Sequence, residues 1–156
     1  MITEQEMSRG MMTLKIIWSA ILMSLAIYAV VGRLIAPSLP PPLDGEGFAT
    51  LRLALYAIGL ATVIGSRYVR KLILVGGSRP ADPLRERPGS VMPRYTGAVI
   101  ASLAMCESVG IYGLVLYILG RDATDLYLLL GISAAAMVYY RPKREELAGL
   151  VKDNPL

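Results

Sequence analysis

The stretch "SLAMCESVGIYGLVLYIL" (residues 102–119) decides how the chain is read. It is apolar throughout except for one carboxylate, Glu107. Runs of this length with almost no charge suit a helix crossing the hydrocarbon of a bilayer. Extended to residues 95–120, the run still carries no other charge, and Glu107 falls at its middle. The fold therefore reads as membrane helix, and the acid becomes the residue to explain.

The remainder of the chain agrees with this reading. Over 156 residues, 54% are hydrophobic and the mean hydropathy is +0.52, more apolar than a soluble domain of this size. Four spans are expected, over 12–36, 48–72, 95–120 and 126–140, followed by a solvated tail at 141–156 that contains a short helical piece. The segment "PSLPPPLDGEG" (37–47) cannot continue a helix, because proline lacks the amide donor and glycine costs backbone entropy. "GGSRPADPLRERPGSVMPR" (76–94) reads as a second irregular linker, and "RDATD" (121–125) as a tight turn. The fold class expected is all-α, an integral membrane four-helix bundle forming a single membrane domain.

Charge sets the orientation. Thirteen cations flank the N-terminus, fill the central loop or lie in the tail, whereas Arg33, Arg52 and Arg121 fall on the opposite side. Basic loops stay in the cytoplasm, so both termini are expected there, in a bacterial inner membrane. The net charge of +4 belongs to this loop pattern and not to a basic helix with stacking aromatics, so no nucleic-acid partner is expected. Histidine is absent and Cys106 stands alone, which removes His-based or multi-Cys zinc sites, Ser/His pairs and disulfides. No phosphate-binding, dinucleotide or metalloprotease motif occurs, and enzyme activity finds no support.

Two ungapped echoes run through the chain. "SLAIYAVV" (24–31) aligns with "SVGIYGLV" (108–115), and "AIGLATVIGSRYVRK" (57–71) aligns with "LLGISAAAMVYYRPK" (129–143), matching Gly59 to Gly131. By this topology the two hairpins run in the same direction, as two parallel hairpin repeats do. Met23 then occupies the place of Glu107, and only one hairpin carries the acid.

An ionised carboxylate at the centre of a span costs ~2.5–3.5 kcal/mol, so Glu107 must be protonated, paired or ion-bound. The neutral form tolerates lipid; the charged form needs water or a cation. Ser108 and Tyr112 supply hydroxyls close by in sequence, and Thr62 on the second span is a candidate donor from across the bundle. Glu107, Ser108, Tyr112 and Thr62 are accordingly the expected ion-binding residues, for a proton or Na+. Small residues at Ala57, Ala61 and Gly65, and at Ala104, Gly110 and Gly113, are the expected helix-packing positions. A structural role for Glu107, as a hydrogen-bonded tie between helices, is the competing reading.

"AMCESVGIYGLVLYIL" (104–119) resembles the carboxylate helix of subunit c of rotary ATP synthases, in which an essential acid precedes an Ile-Tyr-Gly-Leu-like run. The pair Glu107 and Ser108 is similar to that of sodium-binding members, and Tyr112 falls where those members carry a tyrosine. The resemblance covers about 20 residues and implies ion translocation by an oligomer. No glutamine on the second span completes a sodium site, so it implies a proton more than sodium. The expectations are then a small homo-oligomeric protein, plausibly a ring, in contact with the lipid bilayer and other subunits of a membrane complex, with no cofactor beyond the ion itself. The alternative is a structural or assembly protein that moves no ion. A small exporter is a further reading, with less support from the placement of the acid in the third span.

Overall fold

The computed structural model describes residues 4–38, 41–43, 45–76 and 91–153. Every regular element among them is helical: α1 (Glu4–Ile35), a single 3-10 turn (Ala36–Ser38), α2 (Glu46–Gly76), α3 (Val91–Gly120), α4 (Ala123–Tyr139) and α5 (Arg144–Asp153). Three helices are long and apolar enough to cross a membrane, in the ranges Met7–Ser38, Glu46–Val75 and Met92–Gly120; Ala123–Tyr139 is a shorter apolar helix.

Local chemistry explains the boundaries. Pro37 stops α1, since it cannot donate to the next turn. Gly45 adopts φ 108° and turns the chain into α2, whose first turn carries Glu46 where the helix dipole favours an anion. α3 starts at Val91, four residues before the expected Tyr95, because Pro93 sits in the first turn, where a missing N–H costs nothing. Positions 77–90 of the expected central linker lie outside the described residues. Between α3 and α4 the turn is only two residues long. Arg121 takes the left-handed conformation (φ 58°) with its N–H bonded to Tyr117 O, and Asp122 caps α4 by accepting from Thr124 N at 2.9 Å.

Contacts at both ends give the helix directions. Leu43 N donates to Leu119 O (2.8 Å) and Arg94 Nε to Ile73 O (3.1 Å), so α2 runs antiparallel to α3. Arg121 Nη1 donates to Ala36 O (2.7 Å) while Met92 packs on Gly10, so α1 runs parallel to α3. α4 returns antiparallel to α3 and parallel to α2.

α3 is the hub. It packs against α1, α2, α4 and α5, whereas α1 and α2 hardly meet each other. Within the most apolar window of each helix, 44% of α3 is buried, against 11% for α1 and 6% for α2. Gly110 and Gly113 admit the neighbours. A Cβ on Gly110 would lie 2.6 Å from Leu25 of α1, and one on Gly113 would lie 2.9 Å from Leu129 Cβ and 3.2 Å from Leu126 O of α4. The face that α2 turns inward carries Gly59, Ser66 and Arg70, all buried, with Val63 partly so. Ala57 and Ala61 are exposed on the outside of the chain, as is Ala104 of α3, and Gly65 is half-buried against Met105. The echo of Gly59 and Gly131 does not extend to their surroundings. Gly59 lies against Val109, whereas Gly131 faces open space.

The tail is not simply solvated. α5 docks on the bundle through Leu147, 1% exposed, and through Glu146, which binds Arg70 at 2.5 Å. Arg70 is enclosed between the rings of Tyr95 and Tyr140 and donates to Tyr140 O at 3.3 Å. Tyr95 OH accepts from Lys143 N at 3.0 Å, fixing the start of the tail from α3.

Candidate functional site

Glu107 lies halfway along α3, on the border between its buried and its open side. Gly97, Ile100, Ala104, Ile111 and Val115 are exposed at spacings of three, four and seven residues, which places them on one stripe along the helix, with the half-buried Glu107 between Ala104 and Ile111. This stripe is the side of α3 left uncovered where α1 and α2 fail to meet. Glu107 stands at its α1 edge, half-buried, and reaches across to α1.

Two hydroxyls of α1 meet it there. Ser24 Oγ lies 2.6 Å from Glu107 Oε1 and Tyr28 OH donates to the same oxygen at 2.8 Å. Ser24 and Tyr28 are one helical turn apart, so they share the face of α1 that looks at α3. Ser24 Oγ is also 2.6 Å from Ile21 O in its own helix. A serine hydroxyl owns one proton, so its two short contacts cannot both be donated by it. Two arrangements satisfy the geometry. With Glu107 neutral, its O–H donates to Ser24, which donates to Ile21 O. With Glu107 ionised, Ser24 turns its proton to the carboxylate beside Tyr28. Between positions 94 and 121 Glu107 is the only Asp, Glu, Lys or Arg of the sequence, and the partners it meets are hydroxyls of α1.

The residues expected around the acid are placed differently. Ser108 donates to Met105 O at 2.8 Å and Thr62 to Ile58 O at 2.8 Å, each within its own helix. Tyr112 packs on the apolar cluster of Val109, Leu116 and Leu129. The hydroxyls that do meet the acid, Ser24 and Tyr28, are the counterparts of Ser108 and Tyr112 in the first sequence echo. That echo is the signal that points to them.

A second polar cluster lies at the end of the bundle where α4 begins. Asp125, with a fully enclosed side chain, receives Arg52 Nε at 2.9 Å, Arg52 Nη2 at 2.6 Å and Tyr56 OH at 2.7 Å, all on Oδ1. Arg52 Nη2 also pairs with Asp122 Oδ2 at 3.2 Å. Asp122 is held below the usual carboxylate range, first by the Thr124 backbone N–H, with the Thr124 hydroxyl and Arg52 adding to it. In the sequence these charges read only as the flanks of spans, 70 or more residues apart.

Comparison with known protein families, curated proteins and solved structures returns no match. The chemistry of the site therefore rests on its own geometry.

Proposed function

We propose that this chain is a small integral membrane protein that binds a proton reversibly at Glu107 and, within a homo-oligomer, passes it across the bilayer in the manner of a subunit c-like protein. The observation that carries the reading is the shared contact of Ser24. One hydroxyl, within 2.6 Å of both Ile21 O and Glu107 Oε1, provides a partner for the neutral acid and for its anion without moving a helix. Reversible loading needs both states to be accommodated, and Tyr28 OH, 2.8 Å from the same oxygen, adds a second donor for the anion. The position of Glu107 beside an open stripe of α3 supports exchange at the lateral surface. The charge pattern favours cytoplasmic termini, and the exposed apolar faces of α1 and α2 suit lipid or further copies of the chain.

The test is proton flux in proteoliposomes. Wild-type assemblies are expected to conduct and Glu107→Gln assemblies of unchanged size to be silent; equal flux in both would defeat the reading. A second reading, a purely structural or assembly protein, draws on the same hydrogen bonds, because they tie α1 to α3. It predicts that Glu107→Gln breaks up the assembly.

A further inference from the structure

We infer that the cleft beside Arg52 holds a phospholipid with a primary ammonium headgroup, its phosphate on Arg52, its ammonium on Asp122 and an acyl chain laid along α2. The site presupposes a chain that spans the membrane and is independent of Glu107. A cleft of about 350 Å³ opens along the first turns of α2, walled by Phe48, Ala49, Arg52, Leu53 and Tyr56. That volume falls within the range of small-ligand sites, about 300–1,000 Å³. Its walls are apolar apart from the Arg52 guanidinium and the Tyr56 hydroxyl, a composition that suits an amphiphile with a charged end.

The charges select the headgroup. Arg52 commits Nε and Nη2 to Asp125 and Asp122, while its Nη1 makes no hydrogen bond among the described residues and is not enclosed. Nη1 is a free, positively charged donor at the cleft, where a phosphate oxygen can accept. Asp122 is half-exposed, 3.2 Å from Arg52 Nη2, and keeps acceptor positions open beside its bond from Thr124 N. Asp125 is fully enclosed and faces Arg52 and Tyr56 instead. One guanidinium against two carboxylates leaves the cluster with one negative charge in excess. A headgroup that is only anionic gains at Arg52 but meets this excess. An ethanolamine headgroup brings N–H donors to Asp122 together with its phosphate, whereas a choline headgroup carries the same charge with no N–H to give.

The cleft also lies at the depth of a headgroup. Arg52 is six residues, roughly 9 Å, along α2 from Glu46, and it pairs with the turn that joins α3 to α4. From Leu53 the same face of α2 continues through Ala57, Leu60 and Ile64, all exposed at three- and four-residue spacing. This gives roughly 16 Å of apolar track, continuous with the cleft and directed toward the middle of the span.

Native mass spectrometry of the full chain in detergent, titrated with phosphatidylethanolamine, phosphatidylcholine and phosphatidylglycerol of identical acyl chains, tests the site. The first ethanolamine lipid is expected to bind roughly tenfold more tightly than either of the others, the size of one charge-assisted hydrogen bond. Asp122→Asn keeps a capping side chain on α4 and is expected to remove the preference over choline. Ala49→Trp, which fills the cleft from an exposed position, is expected to weaken the first ethanolamine lipid by a similar factor. Ala104→Trp, on the open face of α3, is expected to leave it unchanged. Equal binding of the three lipids by the wild type, or a preference unmoved by both Asp122→Asn and Ala49→Trp, overturns the inference. The outcome is separate from proton flux: a wild-type chain that conducts no protons yet prefers the ethanolamine lipid upholds this site and defeats only the reading of Glu107.

Discussion

Ser24 and Glu107 lie 83 residues apart along the chain and 2.6 Å apart in space. The contact joins two parallel helices whose sequences echo each other, and it places a hydroxyl from the acid-free hairpin against the acid of the other. With Tyr28 it supplies the polar environment that Glu107 has, since the other side chains of that region of α3 are apolar or engaged within their own helix.

Removing these hydroxyls separates a site from ordinary packing. Ser24→Ala and Tyr28→Phe are each expected to destabilise the bundle by roughly 0.6–1.7 kcal/mol, the range of interhelical hydrogen bonds between membrane helices. Ser108→Ala, whose hydroxyl serves only its own helix, is expected to fall below that range. Reversible unfolding in mixed micelles measures all three, and equal effects at Ser24 and Ser108 would contradict the geometry.

Gly113 and Gly131 give a second contrast. Gly113→Ala places a methyl group 2.9 Å from Leu129 Cβ and 3.2 Å from a backbone oxygen, so α3 and α4 must separate, at about 1–3 kcal/mol for overpacking. Gly131 faces open space, and Gly131→Ala is expected to be neutral or to stabilise by up to about 1 kcal/mol through helix propensity. Thermal melts of the two variants check this.

Asp122 makes the acid limb of stability predictable. Its bond from the Thr124 N–H lowers its folded value below that of the unfolded chain. The stability this contributes is present above the unfolded carboxylate value, ~3.9, and is lost as pH falls through the lower folded value. Asp122→Asn keeps a capping side chain but removes the charge, so melting temperatures below about pH 4 should fall less steeply than in wild type; Asp122→Ala loses the cap as well, at about 1 kcal/mol. An unchanged acid limb in Asp122→Asn would count against the assignment.

Much of the helical organisation is legible in the sequence because it depends on local chemistry. Pro37, Gly45 and the Arg121-Asp122 turn interrupt helices by backbone rules that hold in any context, and an apolar run of 26 residues around Glu107 has few other solutions. Which face of a helix meets which neighbour is a property of packing, and there the sequence is less informative. Ala57 and Ala61 have the spacing of a close-packing seam, yet α2 turns Gly59, Ser66 and Arg70 inward, because Arg70 must reach Glu146 and the rings of Tyr95 and Tyr140. Arg52 and Asp125 read as separate interfacial charges because their pairing depends on α2 and α4 running side by side. The echo aligns Ser24 and Tyr28 with Ser108 and Tyr112, so the sequence carries a pointer to them; that α1 lies against the acid is a matter of packing.

The most direct test of reversible proton binding at Glu107 is its modification by dicyclohexylcarbodiimide, read by mass spectrometry across a pH series in intact protein. The reagent enters from lipid and reacts with a protonated carboxyl. Labelling at Glu107 is expected to accelerate as pH falls and to disappear in Glu107→Gln. Labelling that is insensitive to pH, or that persists in Glu107→Gln, would contradict it.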